Sequence, residues 1–158
     1  MHSNEKLIET FYTAFGKKDY ETMKACYAEN AEFSDPAFPH LKGKEVGAMW
    51  QMLIMSSQNL TIRFSDVKAD DKAGSAIWIA NYNFSKTGRP VENHIKANFV
   101  FENGKILKHK DEFNLWKWSQ MALGLKGYLL GWSPIIKNAV QKTTSTNLDL
   151  FMRRNKLK

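Results

Sequence analysis

An α+β fold is predicted for this chain, with helices first, a meander of antiparallel strands after them and a further helix at the C-terminus. Three observations carry the prediction. Apolar residues recur at helical spacing up to about residue 57, the period changes to two from Leu60 onward, and neither a strand–helix–strand alternation nor a glycine-rich phosphate loop occurs.

The elements follow in order. Leu7, Ile8, Phe11, Tyr12 and Phe15 make one amphipathic face of a first helix closed by Gly16. Asp19 is placed to N-cap a second helix carrying Tyr20, Met23, Cys26 and Tyr27, and the two short helices should pair. After Gly43, the spacing of Val46, Met49, Trp50, Leu53 and Ile54 predicts a third helix. Leu60, Ile62 and Phe64 then alternate with Thr61, Arg63 and Ser65, a half-buried strand. In the next strand Ala76, Trp78, Ala80, Tyr82 and Phe84 share a face, and KTGRP supplies a turn. A strand over 91–102 sets Ile95, Ala97, Phe99 and Phe101 on one side, and ENGK is an Asn-Gly hairpin turn. A long strand over 106–116 should close the set. Gly124, Gly127 and Gly131 punctuate the segment before a C-terminal helix at roughly 135–152. No linker or repeat marks a second domain, so 1–134 and the helix and basic tail of 135–158 read as parts of one domain.

Composition narrows the function classes. The chain has 158 residues, 43% hydrophobic and 13% aromatic, enough to bury a sizeable core. Its net charge of +7 is concentrated at one end: from Lys137 onward six Lys or Arg face one acid, Asp149, which leaves 17 bases and 15 acids before it. A basic face for nucleic acid is therefore not expected. The single Cys26 excludes an internal disulfide and a multi-cysteine zinc site, and no metal is assigned. With no readable secretory signal and no run of roughly 20 apolar residues, the chain reads as cytoplasmic with no membrane partner.

Alternation also sorts the ionisable groups. Ala31, Phe33 and Asp35 share one face of the strand before Pro36; Leu107, His109, Asp111, Phe113 and Leu115 share one face of the last strand, opposite Lys108, Lys110, Glu112 and Asn114. A His and two acids thus stand in apolar rows, where an unpaired charge is costly. Desolvation should raise such a carboxyl from about 3.9 towards neutrality, which suits general acid/base work. His109 and Asp111, roughly 7 Å apart by strand geometry, could contact each other or flank one ligand.

Five separated strings carry a family resemblance: CYAENAEFSDPAF, GKEVGAMW, YNFSKTGRPVEN, FVFENGKILKHKDEF and NLWKWSQMALG. From about Leu7 to Pro134 the chain resembles the SnoaL-like branch of the nuclear-transport-factor-2-like superfamily. The resemblance implies a cone: a strongly curved antiparallel sheet wrapped around the N-terminal helices, a deep apolar pocket at the open end, and dimers through the outer face of the sheet. It implies no cofactor. Pocket walls would come from Tyr12, Phe33, Trp50, Trp78, Tyr82, Phe99 and Phe113, and the chemistry from Asp111, Asp35 and His109. In the similar ketosteroid isomerases an Asp-Pro pair supplies the base, as Asp35-Pro36 would here, with Tyr27 matching a preceding Tyr. The chain departs from that pattern at the oxyanion-hole Tyr, which falls at Phe11 with Tyr12 one place off, and at its partner acid, which falls near Ala97. An epoxide hydrolase pattern asks for an inward Arg, whereas Arg63 alternates outward and Arg89 sits in a turn. The polyketide-cyclase pattern, with an acid/base Asp on a late strand, is easier to accommodate at Asp111.

Each site residue has a second reading. Asp35 equally fits a turn cap; Asp111 fits a structural acid satisfied by His109 or by the indoles of WKW; His109 fits a satisfied core histidine; Trp116 and Trp118 fit packing or dimer residues. Three functions stay open: an isomerase, cyclase or hydratase acting without cofactor on a small apolar or carbonyl-containing molecule; a pocket protein that binds such a molecule; and a homodimeric interaction module.

Overall fold

The computed structural model describes residues 1–158. The chain folds as α1 (Ser3–Gly16), α2 (Tyr20–Ala25), β1 (Tyr27–Ser34), β2 (Leu41–Lys42), α3 (Lys44–Ser56), β3 (Gln58–Ala69), β4 (Ala73–Asn83), β5 (Pro90–Glu102), β6 (Lys105–Glu112), α4 (Leu115–Leu123), α5 (Leu125–Leu130) and α6 (Pro134–Arg154). Asp19 caps α2 by accepting the Thr22 N–H at 3.1 Å, and Asn103 and Gly104 both take positive φ in the β5–β6 turn.

Six strands form one curved sheet in the order β2-β1-β6-β5-β4-β3. Its curvature has local causes. Asp66 takes φ 53° where the β3–β4 register shifts between Ser65 and Lys68, and a second shift falls between Val100 and Phe101; such bulges bend a strand and increase its twist. The concave face closes over α1 and α3. Ile8, Phe11, Tyr12, Met49 and Trp50 from the helices meet Ala76, Trp78, Ile95, Ala97, Phe99 and Ile106 from the sheet in one core cluster. The convex face is polar, with Arg63, Glu92, His94, Lys96, Lys108 and Lys110 pointing outward.

Three expectations need correction. The sheet is not wholly antiparallel: β1 pairs with β6 in parallel, because the long excursion through β2 to β5 returns the chain alongside β1 in the same direction. The last strand stops at Glu112 rather than at 116, since Asn114 turns the chain by accepting the Lys117 N–H at 3.0 Å as the N-cap of α4. Phe113 and Leu115 therefore leave the strand face, and Phe113 packs half-buried at the rim of the core. The glycine-punctuated segment is itself helical, as the end of α4 and all of α5. C-terminal α6 begins at Pro134, where the missing N–H costs nothing in the first turn, and joins the same core through Leu148 and Met152.

Candidate functional site

Alternation on β6 turns His109 and Asp111 inward, where they are 1% and 3% exposed. Both imidazole nitrogens of His109 have a hydrogen-bonding neighbour. His109 Nε2 lies 2.8 Å from Asp111 Oδ1, and His109 Nδ1 lies 2.7 Å from the Tyr27 hydroxyl. That hydroxyl accepts the Trp50 indole N–H at 2.9 Å. Donor accounting then assigns the protons. An ionised Asp111 Oδ1 can only accept, so in the neutral imidazole the ring proton sits on Nε2 and donates to it, and Nδ1 accepts the O–H of Tyr27, whose oxygen takes the Trp50 indole N–H. The result is a one-directional relay, Trp50 to Tyr27 to His109 to Asp111, walled by Phe99 and Phe33 with ring centroids 4.4 and 5.0 Å from the imidazole.

Asp111 Oδ1 also receives the Trp78 indole at 3.4 Å, a long contact, so its partners are His109 and Trp78 rather than the WKW indoles. Oδ2 has no hydrogen bond from the chain. Trp118 of WKW instead donates at 2.8 Å to the Tyr82 hydroxyl.

Asp35 has both properties the sequence offered as alternatives. Its Oδ1 accepts the N–H groups of Ala37 at 2.7 Å and Phe38 at 2.6 Å, a turn cap. Yet the half-buried carboxyl is pushed up to about 7, by burial first, with the charge of Asp111 adding and the two backbone bonds opposing. The loop it caps is clamped by α6: Gln141 donates to the Pro36 carbonyl at 3.1 Å and Thr144 to the Ala37 carbonyl at 2.7 Å.

Two tyrosines complete the group. Tyr12 is 1% exposed and its hydroxyl has no hydrogen-bond partner. Burial raises it well above the usual phenol range, and the Asp111 charge raises it further. Tyr82 is raised by burial as well, opposed by the Trp118 hydrogen bond, with a contribution from Asp35. The charge of Asp111 thus acts on both Tyr12 and Asp35, and that of Asp35 on Tyr82. Phe11, one place before Tyr12, packs edge-on to Tyr12, Tyr27 and His109.

The aromatic residues assigned as pocket walls differ in their surroundings. Phe33, Trp50 and Phe99 pack on one another or on His109 in the closed base of the cone, and Tyr12 and Trp78 stand above them with centroids 5.8 Å apart. Tyr82 is half-buried near the end of β4, against Trp118. Two clefts, of about 660 and 450 Å³, lie elsewhere, between α4 and α6 and between β2 and α6. No cluster of three or more His, Cys, Asp or Glu side chains is placed to hold a metal ion.

Asn93 was missed in the sequence. It is buried on the inner face of β5, paired with Ala80, and its side chain makes no hydrogen bond within the chain. The signal was there in the alternation Val91, Asn93, Ile95, which sets an amide in an apolar row.

With this geometry in place, the comparisons are decisive for the family. The SnoaL-like domain matches residues 8–109, well over half of the chain. The chain belongs to the SnoaL-like domain family. Solved structures agree on the fold. A provisionally assigned polyketide cyclase from Xanthomonas campestris pv. campestris is 20% identical with a TM-score of 0.64, over 75% of this chain and 96% of that one. An LEH-like epoxide hydrolase of M. tuberculosis is 16% identical with a TM-score of 0.66, over 80% and 95%. A ketosteroid isomerase-like protein from Catenulispora acidiphila, solved in complex with trimethylamine, is 12% identical with a TM-score of 0.67, over 81% and 97%. No curated protein matches the sequence. Likenesses at 12–20% identity show the fold alone, so reaction chemistry must be argued from the site.

Proposed function

We propose that this SnoaL-like protein binds a small, largely apolar carbonyl compound above the aromatic base of its cone and moves a proton on it without a cofactor. One observation carries the reading: the fully buried Tyr12 hydroxyl has no partner within the chain and lies in the field of Asp111. An unpaired buried hydroxyl costs stability, and a ligand oxygen would remove that cost. Tyr12 would donate to the carbonyl oxygen, holding the charge that develops there when a neighbouring C–H bond is broken. Asp111 would take the proton on Oδ2, while His109 holds Oδ1 and keeps the carboxylate oriented. Asp35, with its carboxyl near 7, is suited to return a proton to a second position, and the Tyr82 O–H and Asn93 amide are free to orient the ligand.

Isomerisation and cyclisation begin with this step, and hydration of an α,β-unsaturated ketone ends with its reverse, so the test measures it directly. Exchange of α-protons for deuterium in D₂O, followed by NMR over a panel of cyclic and aromatic ketones, should be accelerated by the wild-type protein for at least one member. Asp111→Asn should lower that rate by about two orders of magnitude. Absence of acceleration across the panel, together with thermal stabilisation by a ketone, would instead mark a binding protein.

A further inference from the structure

Residues 113–148 contain no Asp or Glu and four exposed lysines, Lys117, Lys126, Lys137 and Lys142. Inside this basic stretch the usual polarity of a surface helix is inverted. Leu125, Tyr128 and Leu129 on α5, Trp132 in the turn after it and Ile135 in the first turn of α6 are 73, 57, 55, 68 and 71% exposed.

The inward positions of that same run are glycines. A Cβ at Gly127 would lie 1.8 Å from the Ser119 carbonyl oxygen, and one at Gly131 would lie 2.6 Å from the Ser119 side chain. Only glycine lets α5 approach α4 this closely, so the fold commits its close packing to the side without side chains. The large apolar groups are thereby held outward. Scattered exposed leucines are ordinary, but two aromatic and three aliphatic side chains, all more than half exposed within the eleven residues 125–135, are not.

Charge decides what can cover it. A second copy docked through this face would set lysines against lysines with no acid in the segment to pair them. A surface of anionic lipid has the complementary charge, and Trp and Tyr favour the headgroup level while leucines enter the acyl boundary. We propose that the outer face of α5 and the first turn of α6 form a peripheral docking surface for an anionic lipid membrane, with Leu129 and Trp132 inserting and Lys126 and Lys137 meeting headgroups. No helix of the chain is long and apolar enough to cross a membrane, so the contact is interfacial.

Sedimentation with phosphatidylcholine vesicles, with and without about a third phosphatidylserine, tests this. Wild-type protein should sediment with the anionic vesicles, and the binding should weaken as salt is raised. Leu129→Ser combined with Trp132→Ser should reduce partitioning about tenfold or more; Lys126→Glu combined with Lys137→Glu should abolish the preference for the anionic vesicles. These side chains are exposed, so circular dichroism and Tm should match wild type. The proposal is overturned if wild type stays in the supernatant, or if the apolar double variant binds as well as wild type. It is equally overturned if wild type is a dimer by light scattering that the apolar variant converts to monomer, since a second copy would then cover the face.

Discussion

His109 Nε2 and Asp111 Oδ1 lie 2.8 Å apart on the inner face of β6, both closed to solvent. Two residues apart on a strand, their Cα atoms are roughly 7 Å from each other, so the contact is made by side chains leaning along the strand. What holds the imidazole in that position is on its other side, the Tyr27 hydroxyl and, behind it, the Trp50 indole.

Tyr27→Phe should therefore be costly out of proportion to one oxygen. It strips the partner from His109 Nδ1 and from Trp50 Nε1 at once, leaving two buried polar groups unpaired, a loss of about 2–4 kcal/mol. Urea unfolding should show a lower midpoint with an unchanged m-value; a loss under 1 kcal/mol would mean the relay is not formed.

Tyr12→Phe should behave in the opposite way. Its hydroxyl has no partner to lose, so the variant should be as stable as wild type or more so. The α-proton exchange proposed above should nevertheless fall about a hundredfold, because the donor to the carbonyl oxygen is gone. A variant that keeps full exchange activity would remove Tyr12 from the mechanism.

Asp35 should be visible in the pH dependence of stability. Its carboxyl is raised from 3.8 to about 7, so between those values the folded chain retains a proton that the unfolded chain has released. The stability it contributes is complete below about 4 and is lost as pH rises to about 7. Asp35→Asn keeps an oxygen to cap Ala37 and Phe38 but does not titrate. Between pH 4.5 and 8 the variant should gain on wild type by an amount on the order of 2–4 kcal/mol. A constant difference in denaturation midpoint across that range would show that the acid is not held protonated.

Gly127→Ala should dislodge α5, since its Cβ would meet backbone of α4. Overpacking of this kind costs about 1–3 kcal/mol, and limited proteolysis should cut faster between α4 and α5. Gly16→Ala, where nothing lies within 4 Å of the added carbon and φ is not positive, is the control and should be neutral or slightly stabilising.

Much of the site was legible because strand alternation is a local rule. It turned His109 and Asp111 inward from the sequence alone, and would have turned Asn93 inward had the rule been applied to VENHI. It failed at Phe113 and Leu115, where a single capping residue, Asn114, ended the strand before the apolar pattern did.

The α+β class, the helices and strands up to Glu112, the family, and the inward turn of His109 and Asp111 were determined by the sequence by itself, because periodicity, turn residues and capping act over a few positions. The tertiary structure alone decided the rest. The partner of His109 Nδ1 is the Tyr27 hydroxyl, itself held by Trp50, and these lie 82 residues and 59 residues away along the chain. That Asp35 is at once a turn cap and a raised acid depends on the charge of Asp111 and on α6 closing the loop, and that α5 shows its leucines outward depends on Ser119 leaving room only for glycine. Partners far apart in the chain leave no local pattern, so only the packed fold can choose them.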